Sequence, residues 1–169
     1  MGMPKVLKNF AVFADGLNYT GEVEEVTLPK LTRKLEEYRS GGMNLPAKTD
    51  LGMQALEAEI SSGGWLKDVI RQFGAAGVNS VPIRFVGAVQ SDDDGQYSAV
   101  EVYMRGRWEE IDMGSAKAGE KSEFKCKVAL NYYRLTWNGE ELIEIDAIRM
   151  IEKFAGVDQF AVVRQLLGI

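Results

Sequence analysis

The sequence feature that most restricts the fold is a long run of alternating side chains between Lys121 and Trp137. Apolar or aromatic residues occupy every second position of its central part, at Phe124, Cys126, Val128, Leu130 and Tyr132. The intervening positions hold Lys125, Lys127, Ala129 and Asn131. A period of two places successive side chains on opposite faces of a β-strand. The run therefore predicts one long strand with a buried face and a polar face.

The residues around this strand predict antiparallel hairpins. Asn138-Gly139 ends the run and favours a two-residue hairpin turn, after which Glu140 to Ile145 alternates again. An opening hairpin is predicted around Asp15-Gly16, and another around the hexapeptide SDDDGQ. The other predicted strands are Leu7–Ala14, Tyr19–Leu28, Leu51–Ile60, Val81–Val89 and Tyr97–Trp108.

Two regions change to helical spacing. Apolar residues between Trp65 and Phe73 recur every three or four positions and are followed by a glycine-rich stretch, so they predict one helix. Apolar residues from Ile148 onward predict one or two short helices packed on the sheet. The predicted fold class is α+β, mainly an antiparallel β-sandwich or barrel with one flanking helix and a short helical C-terminal segment. At 169 residues we expect a single domain, 1–169.

The segment from Pro29 to Thr49 fits neither period. It contains Gly41-Gly42, is densely charged and carries only isolated apolar residues. A connection of this length without regular structure is rare in a compact domain, and it is usually functional or disordered. We therefore expect a functional or disordered loop at about residues 29–49.

Composition restricts the possible partners and the compartment. The formal net charge of −5 disfavours a surface that neutralises nucleic-acid phosphates. No apolar run approaches the roughly 20 residues that span a bilayer, and the first residues do not form a secretory signal. The single cysteine, Cys126, has no partner for an intramolecular disulfide, which is typical of proteins that fold in a reducing cytosol.

The patterns that resemble reactive sites have simpler structural interpretations. The sequence has no histidine, the most common general base near neutral pH. Cys126 is in phase with the predicted buried face and is interpreted as a core residue. The string GSAKAGEKS at Gly114 to Ser122 has one residue too many for a phosphate loop and precedes a strand, so it predicts a charged loop. Asp92 to Gly95 lacks the spacing of a calcium loop and predicts a solvated turn.

On the residues alone, two other function classes stay open. One is a small hydrolase that uses two of the many carboxylates, although the spacing selects no pair. The other is a nucleic-acid-binding barrel, because YMRGRW mixes arginine with aromatic residues. The net charge opposes the second class.

Five strings in order along the chain together resemble one family: LPKLTRKLEEYRSGGMN, VPIRF, MRGRWEEID with KAGEKSEFK, YYRLTWNGEELIEID and IEKFAGVDQ. They are similar to the major tail tube protein of contractile-tailed phages, a family that also supplies the tube of R-type pyocins. The resemblance covers nearly the whole chain. It implies a β-sandwich with a flanking helix, six copies per ring, and rings stacked into a hollow tube inside a contractile sheath. The tube of a type VI secretion or bacteriocin injection apparatus is the close alternative.

The resemblance also implies the partners. They are further copies of the same chain, the tail sheath protein, and tape-measure and baseplate proteins, while DNA passes through the bore without specific binding. No enzymatic activity, cofactor or membrane insertion is implied, and the expected location is the tail tube of a virion assembled in the host cytoplasm. Because the chain is acidic, we expect carboxylates to line part of the bore, on a face that alternation does not identify.

In the family, the loop that corresponds to residues 29–49 reaches a neighbouring subunit. The resemblance therefore implies a long inter-subunit loop that is mobile in the isolated subunit and ordered in the ring. Its expected contact residues are Leu31, Arg33, Lys34, Leu35, Tyr38, Arg39 and Met43.

Overall fold

The computed structural model describes residues 2–169, most of which form β-strands. The strands are β1 (Lys5–Ala14), β2 (Leu17–Asn18), β3 (Val23–Thr27), β4 (Arg33–Tyr38), β5 (Ala47–Met53), β6 (Leu56–Ser62), β7 (Val81–Ser91), β8 (Tyr97–Asp112), β9 (Phe124–Trp137), β10 (Glu140–Asp146), β11 (Ile151–Phe154) and β12 (Val157–Asp158). The helices are α1 (Lys67–Gln72) and α2 (Ala161–Leu167). All strand pairs are antiparallel, which confirms the predicted α+β class.

Two layers of strands share one long hairpin. The first layer has the order β2, β1, β7, β8, β9, β10, β11, β12, and it uses the beginning of β8 and the end of β9. In the second layer the end of β8 pairs with the beginning of β9, which is followed by β6 and β3. The β8–β9 hairpin, predicted from the long alternation and the strands beside it, therefore belongs to both layers.

A bulge at Asn131 changes which face of β9 is buried. Consecutive residues of β8 pair with Leu130 and Tyr132, so Asn131 has no opposite residue there. Leu130 lies in the core before the bulge and Tyr133 lies in the core after it. The prediction that Tyr132 shares the buried face of Leu130 is therefore wrong. Tyr132 is buried, at 6% exposed, but on the other face, under the guanidinium of Arg105 at 4.2 Å, because one extra residue reverses every side chain beyond it.

Gly106 permits the close contact between β8 and β9 at this bend. A Cβ atom on Gly106 would lie 1.9 Å from the carbonyl oxygen of Ala129. Real Cβ atoms do not approach an oxygen so closely, so any side chain at this position would push the two strands apart. The bend therefore requires glycine.

The hydrophobic core lies between the two layers and is closed by α1. Phe124, Cys126 and Val128 of β9 are almost fully buried, as the alternation predicts. Val69 of α1 and Leu66 directly before it join the same cluster. A six-residue helix is not stable alone in water, so burial of these two side chains holds it in place. The predicted helix is confirmed, although it is shorter than the spacing indicates.

Strand pairing near both ends of the chain differs from the prediction. Asp15 and Gly16 form the predicted turn, but β2 is only two residues long and β3 pairs with β6 instead of β1. Near the C-terminus, the first residues predicted as helical form the hairpin β11–β12, and only α2 is helical. This hairpin turns at Ala155-Gly156 with φ values of 52° and 83°, and two successive left-handed residues favour a tight hairpin turn.

The segment expected to lack regular structure contains a hairpin. Strands β4 and β5 pair with each other, and within residues 2–169 they pair with no other strand. The expectation that this segment has no regular structure is therefore wrong. The sequence did not indicate the hairpin because every residue of β4 is exposed. A strand with no buried face has no hydrophobic alternation by which to recognise it. We call residues 29–55 the arm.

Candidate subunit interfaces

The patterns that resemble reactive sites have structural roles here. Burial raises the pKa of the Cys126 thiol to about 12, and Sγ–H donates to the carbonyl oxygen of Ile60 at 3.6 Å. Residues 113–123 form an exposed loop between β8 and β9, with no helix after the string that resembles a phosphate loop. Asp92 lies in the β7–β8 turn and pairs with Lys8 at 3.1 Å. Across residues 2–169, no group of three or more His, Cys, Asp or Glu is arranged to hold a metal ion.

In the described part of the chain, neither helix is long and apolar enough to cross a bilayer. The features that remain to be explained are therefore the exposed apolar surfaces and the unpaired strand edges of the protein.

The arm exposes several large apolar side chains that its own two strands do not cover. Its five exposed large apolar side chains have between 41% and 70% of their surface accessible: Leu31, Leu35, Tyr38, Leu45 and Leu51. A two-stranded hairpin is at best marginally stable in water without further contacts. A cluster of exposed apolar residues indicates a binding surface. The arm is thus a candidate interface.

One arginine fixes the root of the arm to the body of the protein. Arg33 Nη1 donates to Asp50 Oδ2 at 2.9 Å within the arm, and Nη2 donates to Glu152 Oε1 of β11 at 2.5 Å. The Glu152 side chain is only 8% exposed. The guanidinium also lies 5.6 Å from the centre of the Phe154 ring. The hydrogen bond to Glu152 is the largest of the interactions that raise the pKa of Arg33.

The predicted contact residues all lie on the arm, but they differ in their surroundings. Arg33 is engaged with its own chain, as described above. Arg39 Nε donates to the carbonyl oxygen of Met43 at 3.3 Å, which closes the connection between β4 and β5. The four others are exposed: Leu31, Lys34, Leu35 and Tyr38. Contact of these seven residues with another copy stays a prediction.

Two strand edges of the second layer have no partner in the described chain. β3 pairs only with β6. The end of β8, Arg107–Asp112, pairs only with β9, because pairing with β7 stops at Gly106. The order β8, β9, β6, β3 is antiparallel throughout, so the two free edges lie on opposite sides of the layer and run in opposite directions. Free edges expose unpaired backbone N–H and C=O groups that bind other strands.

The outward face of this layer is charged. Its side chains alternate with the buried residues of β6 and β9, and cross-strand pairing places Lys127 between Glu59 and Glu110. The acidic residues on this face are Glu25, Glu57, Glu59, Glu110 and Asp112. The basic residues are Arg107, Lys125 and Lys127. Carboxylates therefore outnumber basic groups.

The C-terminal helix has an unusual orientation. None of its residues is buried, so it does not pack on the sheet as predicted. Its only charged residue, Arg164, points towards the body, where Nη1 donates to the carbonyl oxygen of Met150 at 2.6 Å and Nη2 donates to Asp158 Oδ2 at 2.5 Å. The Arg164 hydrogen bond holds the pKa of Asp158 below its usual value.

An apolar groove opens between the arm root, here residues 53–55, and Phe160 at the start of α2, beside the end of β10. Its apolar walls are formed by Met53, Ala55, Leu56, Leu130, Ile145, Met150, Ile151 and Phe160. Two carboxylates of the groove are already engaged: Asp146 accepts from the backbone N–H of Ile148 at 2.9 Å, and Glu152 accepts from Arg33. Gln54 and Asn131 also line the groove, and the Asn131 amide donates to the carbonyl oxygen of Val78 at 2.8 Å. The remaining lining is mainly hydrocarbon.

Comparison with known proteins identifies the family. The sequence matches the family described as phage tail tube protein FII over residues 4–168. The chain belongs to this family. It is 52% identical to the tail tube protein of Escherichia phage P2, with 100% of both chains covered. It is 39% identical to the major tail tube protein of Serratia phage KSP20, which covers 92% of this chain and 91% of that protein.

A solved structure shares the fold of this tail tube protein at low sequence identity. It is a chain of the sheath-tube complex, in the extended state, of an extracellular contractile injection system. The TM-score is 0.58 at 13% identity, with 79% of this chain and 91% of that chain covered. At this identity the likeness concerns the fold alone.

Sequence analysis also missed three features of the candidate interfaces of this tail tube protein. Glu152 lies 119 residues from Arg33, so no local pattern connects them. The free edges of β3 and β8 depend on where pairing stops, which is set by the bend at Gly106. The orientation of α2 did have a signal, because AVVRQLLGI contains one charged residue among apolar ones.

Proposed function

We propose that this tail tube protein is the structural subunit of the inner tube of a contractile phage tail, where six copies form a ring and stacked rings form the conduit for DNA. The observation that carries the proposal is the second layer, a four-stranded sheet with a free edge at each side. Full-length similarity to a phage tail tube protein supports it. The role is mechanical and needs no catalytic group or cofactor.

Ring closure follows from the direction of the free edges. When copies are arranged around an axis, β3 of one copy meets the end of β8 of the next. Because the two edges run in opposite directions, they pair as antiparallel strands and continue the alternation of the sheet. A closed barrel of this kind leaves no lateral edge exposed, which removes the tendency of free edges to aggregate.

The outward face of the second layer then lines the bore. Five carboxylates face three basic side chains on it in each copy. A surface with an excess of negative charge repels phosphates, so DNA passes without being held. The first layer lies outside the bore, where a surrounding sheath protein makes contact.

The arm connects neighbouring copies in the stack. Its exposed Leu35 and Tyr38 are the proposed apolar anchors, with Lys34 and Arg39 available for ion pairs to the adjacent ring. Arg33 keeps its contacts with Asp50 and Glu152 and sets the direction of the arm.

Electron microscopy of the purified protein at increasing concentration tests this function. We expect rings of six copies and stacked tubes. Replacing residues 34–51 by a short glycine-serine linker is expected to leave rings that do not stack, since the second layer stays intact. A purified chain that is monomeric at every concentration, also in the presence of the sheath protein, would refute the proposal.

A point variant of the arm separates stacking from folding. Tyr38→Ala combined with Met43→Ala is expected to weaken stacking while the thermal unfolding temperature of the subunit stays close to that of the parent. Lys48→Ala, an exposed change on the paired strand, is the matched control. Loss of folding in the double variant would place the two side chains in the core of the subunit instead.

A second candidate is the tube of an injection apparatus without a phage head. The fold likeness to an extracellular contractile injection system favours it. Mass spectrometry of purified native particles separates the two. Capsid and packaging proteins in the same particle indicate a phage, whereas a tube and sheath without capsid proteins or DNA indicate an injection apparatus.

A further inference from the structure

The orientation of α2 leaves an apolar ridge without a partner in its own chain. Val162 and Leu166 lie one turn apart, at i and i+4, on the side of the helix opposite Arg164, and the apolar Ile169 follows the end of the helix. They are 63%, 81% and 73% exposed. A surface helix normally turns its apolar stripe to the core and its charges to water. α2 has the reverse arrangement, which is favourable only when another apolar surface covers the ridge.

The helix is held firmly in this orientation. Arg164 bonds to Met150 and Asp158, and Asp158 Oδ1 also accepts the backbone N–H of Phe160 at 3.0 Å. Gly168 ends the helix with φ 74°, and the Ile169 N–H donates to the Arg164 carbonyl oxygen at 3.1 Å. This is the hydrogen-bonding pattern of a Schellman C-cap. The ridge is therefore in place before any partner binds.

The groove beside the arm root is a matching surface. It is open, its walls are mainly apolar apart from Gln54 and Asn131, and its buried carboxylates are engaged with groups of the same chain. The ridge of the same chain does not enter it. Arg164 directs the ridge away from the body, and Phe160 at the start of the helix already forms part of the groove wall.

We propose that the α2 ridge of one copy docks in the apolar groove of a second copy of this chain in the assembled tube. The inference rests on the proposed tube function, which brings many copies together in a repeated arrangement. The contact is the helix-in-groove type, in which residues one turn apart on an apolar helix face, here Val162 and Leu166, act as anchors. The ridge and groove are both almost free of charge, which is typical of permanent interfaces between copies.

Disulfide trapping tests the contact directly. Subunits with Leu166→Cys are mixed with subunits carrying Ala55→Cys, an exposed residue of the groove, and the mixture is assembled and then oxidised. The native Cys126 is 1% exposed and does not interfere. We expect a disulfide-linked dimer that joins one subunit of each kind. Gln165→Cys, which lies off the ridge on the same helix, is the matched control and is expected to give at least fivefold less. Assembled tubes that contain no such dimer overturn the inference.

A charge substitution supplies the second measurement. Leu166→Asp is expected to leave circular dichroism and thermal unfolding of the subunit unchanged, because Leu166 is 81% exposed. It is expected to reduce the yield of tubes at least tenfold, whereas Gln165→Asp has little effect. If the parent protein forms no tubes, the proposed function fails. If the parent and Leu166→Asp form tubes equally well, the docking fails and the function stands. Tubes of Leu166→Asp that form normally but do not bind the sheath protein would assign the ridge to the sheath.

Discussion

Removal of Arg33 and removal of Glu152 are expected to have unequal effects on the stability of the subunit. Arg33→Ala leaves the Glu152 carboxylate, which is only 8% exposed, without its guanidinium partner. Glu152→Ala leaves Arg33, which is 40% exposed, with Asp50 and water as partners. An unpaired buried charge costs more than an unpaired exposed one. The arginine substitution is therefore the more damaging.

The expected losses of stability follow from the burial of the Arg33 and Glu152 side chains. A hydrogen bond to a charged group contributes about 1.5 to 3 kcal/mol, and partial exposure of Arg33 reduces the benefit through solvent screening. We expect Arg33→Ala to lower the free energy of unfolding by about 2 kcal/mol and Glu152→Ala by about 1 kcal/mol or less. The double variant is expected to resemble Glu152→Ala, because no carboxylate then remains unpaired.

Urea denaturation followed by tryptophan fluorescence gives these free energies, and the four proteins form a double-mutant cycle. The experiment uses protein at a concentration at which it is monomeric, so that association between copies does not add to stability. Lys34→Ala is the control, as a neighbouring exposed lysine of the arm. Equal losses of unfolding free energy in Arg33→Ala and Lys34→Ala would contradict the reasoning. A double variant that is less stable than both single variants would contradict it as well.

Three further predictions concern the bend, the helix clamp and the cysteine. Gly106→Ala is expected to lower the free energy of unfolding by several kcal/mol and to prevent soluble expression, because the new Cβ would lie 1.9 Å from the Ala129 carbonyl oxygen. Gly64→Ala, which has open space around its Cβ, is the control. Similar thermal unfolding of the two variants would show that β8 and β9 can move apart without loss of stability. The helix clamp is the ion pair between Arg164 and Asp158; because Arg164 lowers the pKa of Asp158 from its usual 3.8, the pair contributes stability above that pH and loses it as the pH falls through the lowered pKa. Limited proteolysis of the C-terminus is expected to increase over that pH range in the parent protein and to be independent of pH in Asp158→Asn. The Cys126 thiol, with a pKa of about 12, is expected to remain unreactive to a thiol reagent at pH 8 until urea unfolds the chain, and rapid reaction of the folded protein would contradict its burial.

Local patterns were sufficient for the elements that use one buried face. The strand ending at Trp137 and its hairpin turn at Asn138-Gly139 follow from alternation and turn chemistry, and both are present in the structure. Cys126 lies in the core, as its phase in the alternation predicts. These features depend on neighbouring residues in the sequence, which is the information that periodicity contains.

The features that sequence analysis missed depend on a pairing irregularity, on exposed strands or on residues that are distant in sequence. The reversal of Tyr132 follows from a single bulge residue, Asn131, and nothing in the local sequence marks this position as a bulge. The strands of the arm have no buried face, and the pairing of Arg33 with Glu152 joins parts of the chain that are far apart in sequence. The resemblance to tail tube proteins indicated the family correctly, because it used the whole chain and not a single pattern.

The sharing of one hairpin between both layers has a mechanical consequence. Each of β8 and β9 is continuous through the bend, so sliding one layer over the other would have to stretch covalent backbone as well as break hydrogen bonds. A subunit built in this way resists shear and behaves as a stiff block. Any bending of a tube made from such subunits would then occur at the contacts between subunits and not within them.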